Sequence, residues 1–400
     1  MEALANYLHD NYLYGAPLWV VQTLVQFGIA AIVLLVFVSP FAGILSFVER
    51  RIAGRMQDRI GPNRVGPQGI LQFLADGIKS LLKEDLIPKD ADKPLFVIAP
   101  YLVFLGMFTT FVALPFAGKL IVADLNVGLL YVFATSSLTV VGLVMAGWGS
   151  GSKWSMLGGM RAAAQVISYE IPAGLAALTV LLLAGSLSMQ TIISRQGPHP
   201  WQWFLFDNPF CFVAFFILFT ALVAEGNRAP FDLPEAESEL VSGYNTEYSG
   251  MRFVFFFFAE WANLYVMAAI LTTLFLGGWQ IPAGLAAATA SVGAWLTQLV
   301  QLLFFQVKCL VIIFLVIQLR WTLPRIRMDQ LMTLCWKYLV PIGFFCVMGT
   351  AVWMMLFPQG APNMRYLLTG LTGLILVYFF YRVVWQLRVS KAQIELNPFV

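Results

Sequence analysis

Charge is scarce in this 400-residue chain: 11% of its residues are Asp, Glu, Lys or Arg, against 60% that are apolar. Soluble globular domains carry about a quarter charged residues, so a water-soluble fold is excluded. Histidine is scarcer still, with His9 and His199 alone, and Cys211, Cys309, Cys335 and Cys346 stand far apart with no pair at two-residue spacing. An iron–sulfur cluster takes four thiolates and a membrane haem takes histidines within the spans. The sequence therefore argues against a redox cofactor ligated or covalently bound by this chain and puts any electrons on a partner. Residues 1–19 contain no Lys or Arg, which removes the charged start of a cleavable signal peptide.

What is plentiful is apolar sequence, at a mean hydropathy of +0.79, in runs that suit helices crossing a core about 30 Å thick and not the short strands of a barrel. Nine spans are expected, near 20–47, 95–117, 127–148, 166–187, 209–225, 253–276, 298–319, 338–357 and 367–385. The reading is an all-α polytopic membrane protein, a single integral membrane domain over 1–400, with about nine transmembrane helices plus an amphipathic interfacial helix in the first cytoplasmic loop. Of 24 Lys and Arg, twenty follow the odd-numbered spans and three lie on the opposite side, with Lys308 inside the seventh. That asymmetry predicts a periplasmic N-terminus and a cytoplasmic C-terminus. The net charge of +3 is then a topology signal, and the spread of basic residues over membrane loops points away from nucleic acid.

The first loop, 48–94, holds nine of the basic residues interleaved with seven acidic ones. Gly61, Pro62, Gly66 and Pro67 impose a defined turn, and Arg51 and Arg55 would share a helix face. After the turn, Leu71, Leu74, Ile78, Leu81 and Leu82 recur at helical spacing opposite Gln72, Asp76, Lys79 and Lys83, which predicts an amphipathic helix from Gln68 to Lys83. It should lie in the interface or against a partner. Arg50 and Arg51 have a plainer alternative as snorkelling anchors. The connection from Gly147 to Gln165, rich in Gly and Ser, reads as a turn, and Gly277 to Thr297 as a charge-free outer segment.

Inside the apolar runs stand Glu170, two residues before Pro172, then Glu225, Glu260 and Lys308. Pro172 cannot donate to the carbonyl of Ser168, so the helix should be loosened there and open to water. A central acidic residue costs about 2.5 to 3.5 kcal/mol on insertion, which several Leu are needed to offset. The four groups read either as a hydrated proton relay or as static buried ion pairs, for instance Lys308 with a Glu. The loop 226–252 adds Asp232, Glu235, Glu237, Glu239 and Glu247. If Pro234 opened a short helix, Glu235 and Glu239 would share a face with Glu237 turned away. A solvated acidic surface is the alternative, but Phe231, Leu233, Leu240 and Val241 favour a packed loop.

Two stretches carry a resemblance. VERRIAGRMQDRIGPNRVGPQG with the following ADGIK, and AEGNRAPFDLPEAESELVSGYNTEYSG from Ala224 to Gly250, closely resemble the quinone-site membrane subunit of proton-pumping NADH:quinone oxidoreductase, respiratory complex I. The resemblance runs from about Val20 to Phe357 and leaves 361–400 as an extra C-terminal helix. It implies a bacterial inner-membrane subunit that forms a quinone-access chamber and a glutamate path coupling quinone reduction to proton translocation. Quinone would be the substrate, with iron–sulfur clusters, FMN and NADH in partner subunits. The partners implied are the peripheral quinone-reducing and terminal-cluster subunits, small membrane subunits and lipid. By the same resemblance Glu49, Arg50, Arg51, Arg55, Arg59 and Asp76 belong to the quinone site, Glu170, Glu225, Glu235, Glu237, Glu239 and Glu260 to the proton path, and Arg228 and Asp232 to the loop motif. Energy-converting hydrogenase membrane subunits share part of the pattern. A proton-coupled secondary transporter would also place carboxylates in midmembrane, but would show repeated halves, and none is found.

Overall fold

The computed structural model describes residues 39–358 and 362–396, together with parts of 17–28. Among the described residues every regular element is a helix. α1 (Ser39–Met56) leads through a tight turn to α2 (Gln72–Leu82); α3 (Lys93–Thr110), α4 (Gly128–Gly149) and α5 (Lys153–Ala184) follow. A short α6 (Met189–Arg195) precedes α7 (Pro209–Glu225), the one-turn α8 (Glu237–Leu240), α9 (Gly250–Phe275), α10 (Ala283–Val292) and α11 (Ala294–Thr322). α12 (Met328–Leu356) contains a π-helical turn at Leu334–Leu339, and α13 (Pro362–Leu396) ends the described chain.

By length and composition α3, α4, α5, α9, α11 and α12 can cross a membrane, and α7 is a shorter apolar helix. The first expected span lies largely outside the described residues and is helical from Ser39; the ninth falls on α13. α9 is the hub, with 72% of its apolar window buried against 50% or less for the others. The core around it is aromatic and tight, with Tyr169, Tyr265, Phe96, Phe108, Phe275 and Phe305 among the largest fully buried side chains.

Three expectations are corrected, and the charge-free Gly277–Thr297 segment proves to hold a helix. The Gly147–Gln165 connection is largely helix, because its glycines serve close packing and not turning. A Cβ on Gly159 would meet the Leu143 carbonyl at 3.0 Å, and one on Gly158 would meet Gly243 at 2.7 Å. Gly277–Thr297 contains α10. α5 runs unbroken through Pro172, and the Ser168 carbonyl that Pro172 leaves free accepts from the Cys335 thiol at 3.1 Å, a protein donor in place of water. Lys308 pairs with no carboxylate among the described residues: its Nζ donates to the carbonyls of Leu276 and Gly278, both at 2.8 Å, and caps the C-terminus of α9. A cation at a helix C-terminus satisfies orphan carbonyls and the dipole together.

Candidate functional site

α2 is amphipathic as expected, beginning at Gln72 because the Pro67–Gly69 turn occupies the residues before it. Its polar side docks on α1: Arg50 pairs with Asp76 at 2.6 Å, Gln72 donates to Asp76 at 3.0 Å, and Phe73 closes on Gly43, where a Cβ would meet the ring at 2.4 Å. Leu71, Leu74, Ile78, Leu81 and Leu82 remain exposed. Between α1, α2 and α9 lies a cavity of about 330 Å³ lined by Gly43, Arg50, Phe73, Asp76, Gly77, Phe253, Phe257 and Trp261 among others. Its wall is mostly apolar with one ion pair at the rim, which suits a long apolar molecule with a small polar end. Arg51 reaches Gln68 at 3.4 Å, Arg59 donates to Gln57 at 2.7 Å, and Arg55 is exposed; none of the three lines this cavity.

Phe253, Phe257 and Trp261 also line a second cavity, of about 500 Å³, whose other walls are charged: Arg228, Asp232, Glu235, Glu260, Arg320 and Arg325. The acidic loop is folded onto the bundle to make it. Gln165 of α5 donates to the carbonyls of Ala224 and Phe231 at 2.7 and 2.8 Å and to Asn227 at 3.0 Å, and Ile326 N bonds Pro230 O at 3.1 Å. Gly243, at φ 58°, passes so near Pro234 that a Cβ would lie 1.7 Å from its carbonyl oxygen. The alternative of a solvated acidic surface therefore fails for Asp232 and Glu235.

At the centre Arg228, 2% exposed, lies over the Trp261 ring at 4.5 Å and faces two carboxylates, Glu49 at 3.3 Å and Glu260 at 3.2 Å. Burial works against its charge, but the carboxylates of Glu260, Glu49, Glu235 and Asp232 raise its pKa above the usual value. Glu49, buried, also takes Arg320, and Arg325 pairs with Asp232 at 3.1 Å. Burial pushes the Asp232 carboxyl up despite Arg325 and Arg320 beside it. Three arginines thus serve Glu49, Asp232 and Glu260, while a fourth carboxylate has, among the described residues, no arginine at ion-pair distance. Glu235 accepts instead from the Tyr244 hydroxyl at 2.6 Å and from Asn245 at 2.9 Å. Burial, then the charges of Glu260 and Asp232, push it up to about 8, with the Tyr244 hydrogen bond pulling the other way.

A smaller cavity of about 30 Å³, room for a water or two, joins Glu260 to Glu225 and is also lined by Asn227, Tyr244 and Asn263. One Glu225 carboxylate oxygen is buried without a partner there. Glu170 lies on α5, half-buried, and accepts from the Ser137 hydroxyl at 2.9 Å; it lines none of these cavities. The expected shared face of Glu235 and Glu239 is not found. The short helix opens at Glu237 and not at Pro234, so Glu235 turns inward and Glu239 outward to Arg161 at 2.6 Å. The side chain of Glu237 lies outside the described set.

Arg320, Arg325, Trp261, Tyr244 and Asn245 escaped the sequence reading. The two arginines look like the basic end of a span, yet a packed loop with five carboxylates demands cations from elsewhere. Arg320 and Arg325, at and just beyond the C-terminal end of α11, supply them. No group of three or more His, Cys, Asp and Glu among the described residues has the arrangement of a metal site.

A family model described as NADH dehydrogenase matches residues 29–351. The H-type subunit of NADH-quinone oxidoreductase from Anaeromyxobacter dehalogenans is 55% identical over 351 residues, 85% of each chain. Its counterparts of the same designation from Chlorobaculum tepidum and Geobacillus thermodenitrificans are each 48% identical, over 81% and 87% of this chain and 91% and 99% of their own. With the family model covering most of the sequence and relatives of this identity matching nearly end to end, the chain belongs to the NADH dehydrogenase family, among its H-type subunits of NADH-quinone oxidoreductase.

Proposed function

We propose that this chain forms the quinone-access chamber of proton-pumping NADH:quinone oxidoreductase and carries a titratable path from that chamber into the membrane. The observation that supports it most is the adjacency of two unlike cavities. The apolar one beside α2 and the charged one beneath the acidic loop share the wall Phe253, Phe257 and Trp261. A quinone tail needs the first, and a headgroup that takes up two electrons and two protons needs the second. In this reading Arg50 and Asp76 guide entry, Arg51, Arg55 and Arg59 shape the surface where peripheral subunits dock, and electrons arrive from cofactors held by those partners.

Within the chamber, Arg228 and Arg320 favour negative charge on a reduced headgroup, and Glu235 holds a proton near neutral pH that such charge development can draw upon. Reprotonation would pass by Glu260 and the small cavity to Glu225, and beyond it toward Glu170. Nine spans, a periplasmic N-terminus and a cytoplasmic chamber complete the proposal. A hydrogenase subunit would need the same acids but no apolar path for a tail.

The test is Gln substitution at Glu170, Glu225 and Glu260 in isolated membranes. NADH oxidation by an artificial acceptor that draws electrons before the quinone should persist, while quinone-dependent turnover and the proton gradient fall together. Full turnover with a normal gradient at all three positions would refute the path.

A further inference from the structure

Far from the acidic loop, two arginines separated by 169 intervening residues meet in one cavity. It measures about 290 Å³ and is lined by Arg195, Asp207 and Arg365 together with Leu183, Trp353 and Phe357 among others. Arg161, which pairs with Glu239 on the acidic-loop side, and Leu183 lie on the same unbroken helix, α5. At 1.5 Å per residue they stand roughly 33 Å apart, about the thickness of a bilayer core. The cavity is thus at the opposite membrane interface, where this chain places few cations: the basic residues of that side are Lys119, Arg195 and Arg365.

Two of those three converge here, and internal pairing accounts for only one of them. Arg365 pairs with Asp207 yet leaves 36% of its side chain exposed; Arg195 is exposed and, among the described residues, has no carboxylate at ion-pair distance. One positive charge is left over and part of a second guanidinium stays accessible, beside the apolar surface of Leu183, Phe204, Trp353, Met354 and Phe357. Arg365 and the aromatic wall at Trp353 and Phe357 lie beyond residue 351, where the family match ends. The site is therefore completed by the first turn of α13, which the shared family region does not supply.

We infer that this cavity binds the phosphate of an anionic glycerophospholipid, held by Arg195 and Arg365, with an acyl chain laid along Leu183, Trp353 and Phe357. The charge matches, the depth matches the headgroup level, and the aromatic ring has the place of an interfacial anchor. The lipid would tie the α5–α7 connection to the C-terminal helix.

The assembled complex, reconstituted in phosphatidylcholine vesicles doped with diazirine-acyl phosphatidylglycerol, provides the test. Photolysis followed by peptide mass spectrometry should label 183–207 and 353–365. Arg195→Ala removes a cation that pairs with no carboxylate, so folding is spared, and labelling should fall about fivefold, the worth of one basic residue near a surface. A paired Asp207→Asn, Arg365→Gln variant, which leaves no buried charge unmatched, should lose labelling likewise, and Lys119→Ala should not. Equal labelling by diazirine phosphatidylcholine, or unchanged labelling in Arg195→Ala, overturns the inference. Displacement of the label by inorganic phosphate as readily as by phosphatidylglycerol also overturns it, and identifies a free-phosphate site instead.

Discussion

Replacing Glu235 by Gln removes one titration from the charged chamber and little else. The amide oxygen still accepts from Tyr244 and Asn245, which hold the carboxylate at 2.6 and 2.9 Å. The groups facing Glu235 are Tyr244, Asn245, Arg228, Glu260 and Asp232. In the folded protein the carboxyl is pushed up to about 8 from 4.5, so the native state keeps a proton that the unfolded chain releases. Its contribution to stability is complete in acid and is lost as pH climbs from 4.5 through about 8, at roughly 1.4 kcal/mol per pH unit. Between pH 6 and 8 the loss comes to about 2–3 kcal/mol. The assay is heat-induced dissociation of the purified complex at pH 6, 7 and 8. Wild type should weaken steadily toward pH 8 and the Gln variant should weaken much less. Quinone turnover should lose an alkaline limb near pH 8 in the variant alone. Parallel curves for the two proteins would refute the assignment of the titrating group.

Three further outcomes follow from the side-chain partners. Glu49→Gln takes from Arg228, buried at 2% exposure, one of its two facing carboxylates and from Arg320 its partner, and should cost at most about 3–5 kcal/mol with less assembled complex in native gels. Glu239→Gln breaks an exposed pair with Arg161, should cost no more than about 1 kcal/mol, and should leave assembly and turnover intact. Lys308→Met loses both bonds to the end of α9 and should lower the yield of complex. The complex that does form should pump with an unchanged ratio of protons to electrons, since Lys308 lies away from the three cavities of the chamber.

Much of this was legible in the residues because the membrane simplifies the code. Apolar runs at Pro209–Glu225 and Gly128–Gly149 mark helices almost to the residue, since backbone polar groups in lipid have no other recourse. The amphipathic α2 announces itself by periodicity, and the residues of the acidic loop are singled out by being charged where little else is. Glycine misled the reading, because in a tight helical bundle it marks close approach as often as a turn: Gly158 and Gly159 bring α5 against the loop and α4. Partnership was invisible. Nothing local in the sequence says that Arg320 meets Glu49 across 271 positions, or that Glu235 and Glu239 point opposite ways once the short helix starts later than Pro234. A terminal arginine on a span looks the same whether it anchors the helix or neutralises a chamber.

In the proposed function a quinone tail passes between α1, α2 and α9 to reach the charged chamber. Gly77 lines that passage, and a Cβ there meets no atom within 4 Å, so a larger side chain fits the fold and projects into the 330 Å³ cavity. The decisive measurement is the KM for a long-tailed quinone in Gly77→Trp membranes, compared with Gly77→Ala. At least a tenfold rise is expected in the Trp variant alone, with artificial-acceptor activity unchanged; an unaltered KM in an assembled Gly77→Trp complex would mean that no tail passes there.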